Sequence, residues 1–245
     1  MINYEENMIN THEVIDLINQ ALSDKKPLSL SRFGHGEIAN MIWPDNELWT
    51  KGFEYFKDYA GATVSIEILK KDLIHSLMTS DIIGLHVSSS YKGVDQKCAE
   101  ITREILKKVS FEPKKVCNAW VTHEIINYTS FWDIMYNNKV AVVGRRNKAA
   151  MKWFIKHGIN LVDCISLEGY RQIDSVHEHL KNNFEWDIVL ISAGIPATII
   201  APKLAQSSEK VVIDFGHALD ILIDGKNFNE RELVPKWKRS SRRKQ

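Results

Sequence analysis

The chain has 245 residues, of which 44% are hydrophobic and 26% charged, and a formal net charge of +1. That length allows one large domain with a sizeable core. Near-neutral charge excludes a bulk attraction for nucleic acid, and no apolar run reaches the ~20 residues of a membrane-spanning helix.

Cys98, Cys117 and Cys164 are odd in number and far apart. This argues against a disulfide framework or an all-cysteine zinc site, and for small, partly buried residues in a reducing compartment. The acidic start (Glu5, Glu6, Asn7) has no signal-peptide pattern, so a cytoplasmic location is expected.

Taken in order, Thr11 reads as the N-cap of a helix with Val14, Ile15, Leu17, Ile18, Ala21 and Leu22 at helical spacing. A strand, Leu28 to Phe33, runs into Gly34-His35-Gly36-Glu37. Residues 43–62 are aromatic-rich (Trp43, Trp49, Phe53, Tyr55, Phe56, Tyr59) and fit core or lid packing better than sugar stacking. Helix Val64 to Met78, strand Asp81 to Val87 and helix Asp95 to Val109 follow. Lys115 to Val121 reads as a strand entering Thr122-His123-Glu124, and Asn127 to Asn137 as a helix. In the second half, strand Lys139 to Val143 ends at Gly144-Arg145-Arg146. Helix Lys148 to His157, strand Asn160 to Ile165 and helix Gln172 to Asn182 come next. Strand Asp187 to Ser192 ends at Ala193-Gly194-Ile195-Pro196, with Pro196 in the first turn of a helix. The last strand, Lys210 to Ile213, leads to Asp214-Phe215-Gly216-His217. His177 and His179 sit on a charged helix face and read as solvated.

Apolar strands alternating with helices predict an α/β, Rossmann-like fold: a mainly parallel sheet with helices on both faces. Ligands of such sheets bind at the carboxyl ends of the strands. Arg32, His35, Glu37, His123, Gly144, Arg145, Gly194, Asp214 and His217 all fall there. The chain lacks a G-x-G-x-x-G turn, a G-x-x-x-x-G-K-[ST] loop, a G-x-S-x-G elbow and an H-E-x-x-H pair. These absences argue against dinucleotide, phosphate-loop, α/β-hydrolase and zincin chemistry. The turn Arg32 to Glu37 fits a diphosphate site: a carboxylate to hold a divalent ion, and an arginine fork for phosphate oxygens. The same acid also fits a first-turn helix residue facing the macrodipole.

Arg32-Phe33-Gly34-His35-Gly36-Glu37 resembles the R-F-G-D-G-E motif of the GT-D-fold glycosyltransferases, bacterial enzymes that use a nucleotide-sugar donor and a divalent metal. Asn118-Ala119-Trp120-Val121-Thr122-His123 is similar to that family's N-x-x-x-T-R element. Gly194-Ile195-Pro196-Ala197 and Asp214-Phe215-Gly216-His217 resemble its late G-P-T-A and D-x-G-H, with one residue inserted after Gly194. Two departures stand out. His35 replaces the first aspartate of the metal pair, and His123 replaces an arginine.

The resemblance implies one GT-D domain over residues 1–234, with the motif in its half 1–137 and a Rossmann-like half 138–234. It implies a hexosyltransferase that moves a sugar from a UDP-sugar to a glycan or glycoprotein acceptor, in surface polysaccharide or glycoprotein biosynthesis. Glu37 and His35 are the expected metal ligands, for Mn²⁺ before Mg²⁺ because of the imidazole. Arg32, Gly34, Gly36, Asn118, Thr122, His123, Gly144, Arg145, Gly194 and Asp214 are the expected nucleotide-sugar site. Asp220, Asp214 and His217 compete for the role of base. The alternatives are a non-catalytic nucleotide-sugar-binding domain and a Rossmann-like methyltransferase. Residues 235–245 (Lys236, Lys238, Arg239, Arg242, Arg243, Lys244) read as a basic, disordered tail able to dock on anionic lipid at the inner membrane face or on an anionic glycan. Assembly into a homo-oligomer stays open.

Overall fold

The computed structural model describes residues 3–45 and 53–242. Trp49, Arg243 and Lys244 lie outside the described residues. The strands are β1 (Leu28–Arg32), β2 (Ile82–Leu85), β3 (Val116–Asn118), β4 (Val140–Gly144), β5 (Leu161–Ile165), β6 (Ile188–Ser192) and β7 (Val211–Asp214). They form one seven-stranded sheet in the order β3-β2-β1-β7-β6-β4-β5, with every pairing parallel. The α/β, Rossmann-like expectation holds.

Parallel neighbours need crossover helices. Between the strands lie α2 (His35–Ile42), α3 (Ile66–Thr79), α4 (Gly93–Lys108), α5 (Val121–Ile125), α6 (Thr129–Asn137), α7 (Asn147–Lys156), α8 (Ile173–Asn182) and α9 (Ile195–Ser208), with α1 (Thr11–Asp24) before β1 and α10 (Ala218–Asp224) after β7. A further helix, α11 (Glu230–Arg242), follows the last of them.

Strand side chains alternate between two apolar layers, as a period of two requires. Val140, Val142, Ile188, Leu190, Val211 and Ile213 face α1, α5, α6, α7 and α10. Ala141, Val143, Val189, Ile191 and Val212 face α2, α3, α4, α8 and α9. On β1 the second face carries Ser29 and Ser31, both buried. Their small side chains let α9 lie close: the Ser31 hydroxyl donates to the Thr198 carbonyl at 3.3 Å.

β1 and β7 are neighbours, yet α2 leaves β1 toward one layer and α10 leaves β7 toward the other. Divergent exits of this kind open a crevice at the carboxyl edge of a parallel sheet.

Some local expectations shift. Asn10, not Thr11, caps α1. Its side chain accepts the amides of His12 and Glu13, and the Glu13 carboxylate accepts the Asn10 amide at 2.7 Å. Thr11 instead donates to Glu124. The strand expected over 115–121 stops at Asn118, whose side-chain oxygen accepts the Trp120 amide at 2.9 Å and turns the chain into α5. His177 is buried rather than solvated, with Nε2 2.9 Å from the Ser207 hydroxyl. Through Arg242 the basic tail is helical, not disordered. Val234 is buried, and Trp237 lies 5.2 Å from the Arg145 guanidinium and 6.0 Å from the Tyr59 ring.

Candidate active site

The centre of the crevice is an arginine–aspartate lock. The Asp214 carboxylate accepts the Arg32 backbone amide at 3.0 Å and Arg32 Nη2 at 3.3 Å. Arg32 Nε donates to the Asp214 carbonyl at 2.9 Å, and Nη1 to the Ala119 carbonyl at 3.2 Å. Thr198 Oγ1 donates to the same carboxylate at 3.0 Å. Asp214 is buried, as an ion pair of this kind can be only when its lone pairs are satisfied. Gly216 sits at φ +52°, and a Cβ there would overlap the Arg32 guanidinium. Two of the expected site residues thus hold β1 and β7 together, with Gly216 clearing their path.

At the β1–α2 turn the side chains part company. Gly34 is the N-cap of α2, and Glu37 is its third residue. The Glu37 carboxyl folds back over the helix start, with Oε2 3.2 Å from where a Cβ on Gly34 would sit, and the amides there favour its charge. Burial, and then the charge of Asp214, raise its pKa to about 7. His35 turns elsewhere: its Nε2 lies 2.9 Å from Asp95 Oδ1, and its ring stacks on His86 at 4.7 Å. Donor atoms of His35, His86 and Cys98 lie within 4.8 Å of one another. Glu37 is not part of that group. A Cβ on Gly36 would meet Phe53 at 2.8 Å, so the glycine admits the aromatic segment over the turn.

Asp95 organises this corner. Its second oxygen accepts from Ser90 Oγ at 3.0 Å and from Trp120 Nε1 at 3.1 Å. Burial opposes ionisation, but hydrogen bonds from His35 and Trp120 hold the carboxyl below the usual range. Burial, then His35, push His86 down to about 4. Burial and Asp95 push the Cys98 thiol up.

On the β7 side, His217 Nδ1 is 3.1 Å from Asp220 Oδ2. Asp220 Oδ1 accepts from Arg146 at 3.0 Å, and Arg146 also grips Asp224. Burial works against the Asp220 charge, yet His217 and Arg146 keep its carboxyl low. His217 retains a third of its side-chain surface and stacks on Tyr59 at 6.1 Å. Across Tyr59, at 5.0 Å, lies the guanidinium of Arg145. Arg145 donates to the Tyr59 carbonyl at 2.9 Å, while its buried Nε has no partner. It lines a cleft of about 1190 Å³ with Asn40, Trp43, Phe53, Lys57, Thr63 and Trp237.

The other expected residues serve the frame. Gly144 and Gly194 allow close passage: a Cβ on Gly144 would strike the Ser192 carbonyl. One on Gly194, at φ +64°, would meet the Ala60 carbonyl at 2.6 Å. Asn118 is occupied by the Trp120 amide, and Thr122 is buried with its hydroxyl unpartnered. His123 packs on Trp120 at 5.1 Å, and its buried Nε2 has no partner. Burial, then the Arg32 charge, lower its pKa to about 3. Between pH 6.5 and 3 the unfolded chain therefore binds a proton at His123 that the folded chain refuses. Stability is full above pH 6.5 and falls as pH drops, by roughly 1 kcal/mol per pH unit from this group. Melting curves of wild type and His123→Asn from pH 7 to 4.5 should show the variant losing less, and equal losses would refute it.

Sequence reasoning missed His86, Asp95, Cys98, Thr198, Arg146 and Tyr59 as neighbours of the crevice. Arg146 carried a signal, being a charged residue in the turn after a strand, whereas His86 fell inside the strand expected over 81–87, which ends at Leu85.

A family model for the GT-D fold-like domain matches residues 9–222. Among solved structures, the chain is similar to a domain of unknown function 1792 described as having a distinct glycosyltransferase fold. The TM-score is 0.55 at 17% identity, over 86% of this chain and 78% of the other. It is also similar to a glycosyltransferase of that domain type from Streptococcus sanguinis. There the TM-score is 0.57 at 12% identity, over 86% and 81%. At such identities the likeness is one of fold. No curated protein matches the chain by sequence. The matched region takes in the whole sheet and its carboxyl edge, and the chain belongs to the GT-D fold-like domain family.

Proposed function

We propose that residues 1–234 act as one glycosyltransferase domain, a hexosyltransferase with a UDP-sugar donor and a glycan or glycoprotein acceptor. The observation that carries this reading is Arg145. A cation with an unpartnered, buried Nε lines a cleft of about 1190 Å³, one aromatic ring away from the His217–Asp220 pair. A diphosphate in the cleft is matched by the guanidinium charge, whose Nη2 rests on the Tyr59 and Glu168 carbonyls. Trp43, Phe53 and Trp237 offer faces for a base and a sugar.

In this reading Asp220 holds the proton of His217 on Nδ1, which leaves Nε2 as the base. The acceptor hydroxyl loses its proton to Nε2 as its oxygen bonds the anomeric carbon. The bond from that carbon to the diphosphate breaks, and UDP leaves with the electron pair. Arg145 meets the charge that grows on the leaving group. Asp214 is closed to this role by Arg32 and Thr198.

The family resemblance implies a divalent ion, Mn²⁺ before Mg²⁺, at Glu37 and His35. The donor set does not fit that ion: the Glu37 carboxyl folds back over the helix start beside Gly34, and the His35 ring points away from it, toward Asp95 and His86. No step here runs through it. The setting is surface polysaccharide or glycoprotein synthesis at the cytoplasmic face of a membrane. Lys236, Lys238 and Arg239 of α11 suit an anionic surface beside the cleft.

The test is a thermal-shift panel of UDP-, GDP- and TDP-sugars and S-adenosylmethionine, paired with a nucleotide-release assay. UDP-sugars should raise the melting temperature, and UDP should be released. Stabilisation without release or transfer, across several donors and acceptors, would reduce the chain to a binding module. Stabilisation by S-adenosylmethionine instead would make it a methyltransferase.

A further inference from the structure

We propose that His35, His86 and Cys98 form a site for a zinc-type transition-metal ion, oriented by Asp95. The three donors come from the start of α2, the end of β2 and the second turn of α4. Their ligating atoms lie within 4.8 Å of one another.

The telling residue is His86. It is 2% exposed, and neither ring nitrogen has a hydrogen-bond partner. A core histidine ordinarily satisfies at least one nitrogen, because a buried polar group without a partner is costly. A bound cation removes that cost. Cys98 beside it is fully buried, so its sulfur is available to an ion but shielded from solution oxidants.

Asp95 supplies the outer support that metal-bound histidines require. One oxygen lies 2.9 Å from His35 Nε2 and 3.4 Å from His86 Nδ1. The other is held by Ser90 and Trp120. The Trp120 ring closes the corner, 6.1 Å from His35 and 5.8 Å from His86.

The donor chemistry sets the ion. Imidazole and thiolate favour Zn²⁺ and its neighbours, whereas Mg²⁺ and Mn²⁺ prefer oxygen. Tetrahedral zinc has bonds of about 2.0–2.3 Å and lies in the plane of each imidazole that holds it, so the parallel rings of His35 and His86 turn toward one point, and the ligating atoms close in, when it binds. Three protein ligands leave a fourth position for water or a ligand oxygen.

The test is cobalt spectroscopy on the full-length protein after removal of metal by a chelator. Titration with Co²⁺ should saturate at one equivalent and give a sulfur-to-cobalt charge-transfer band in the near ultraviolet, which Zn²⁺ then abolishes. Cys98→Ser should lose the band, and both Cys98→Ser and His86→Gln should weaken Zn²⁺ binding at least tenfold. Asp95→Asn should weaken it by roughly 10–100-fold. Wild type without a stoichiometric thiolate band overturns the site, whatever the variants do. So does unchanged Zn²⁺ affinity in folded Cys98→Ser and His86→Gln. These readouts report the ion, not turnover, so they stand apart from the donor proposal.

Discussion

Asp214→Ala should melt roughly 10 °C below wild type. The Asp214 side chain is 3% exposed and that of Arg32 14%, so the pair is sheltered from water. Removing one partner of a buried pair leaves the other charge uncompensated, at about 3–5 kcal/mol. At roughly 2–4 °C per kcal/mol for a chain of this size, that gives the stated shift. The loss is spread over the crevice, because the same carboxylate fixes the Arg32 amide, the Arg32 guanidinium and Thr198. Asp214→Asn keeps an acceptor but not the charge, and should lie between the two. A catalytic base would behave in the opposite way: Asp214→Asn would melt with wild type and lose turnover. A melting point within about 2 °C of wild type for Asp214→Ala would remove the lock from this account.

That lock also shows where the sequence stops being readable. The rim was legible because its strands are short runs, apolar or alternating leucine with serine, closed by a glycine or a polar residue. Leu28 to Arg32, Val140 to Gly144 and Ile188 to Ser192 all declare themselves this way. Parallel pairing then brings those ends to one edge, whatever the strand order. The motif residues carried the family for the same reason, since a turn is a local feature. Partnership is not local. Arg32 and Asp214 are 182 residues apart, and nothing in either motif says that the two occupy each other.

His35 shows the limit in the other direction. Read from spacing, His35 and Glu37 flank one glycine and belong together. In the helix that begins at His35, positions two apart point to different sides. Glu37 folds back on the helix start, and His35 reaches a strand end and a neighbouring helix. Cys98 read as a small, partly buried residue, and its position buries it fully. What gives it chemistry is His86 beside it, brought there by the crossover from β2 to α4.

The sharpest catalytic expectation rests on His217. In His217→Ala, kcat should fall by roughly 10²–10⁴, the usual contribution of a positioned base. The melting temperature should stay within about 2 °C of wild type, because the side chain is a third exposed and sits outside the apolar layers. KM for the donor should change little, since diphosphate binding is assigned to Arg145 across Tyr59. Asp220→Asn should also lower kcat, by loosening the hold on the Nδ1 proton, but it should lower stability as well. Its carboxylate anchors Arg146, which an amide holds less firmly. The contrast between the two variants separates roles: His217 for proton transfer, Asp220 for orientation and packing. Turnover of His217→Ala within about threefold of wild type would exclude His217 as the base. The search would then move to an acid brought by the acceptor complex, because Asp214 and Asp220 are both held by arginines in this structure.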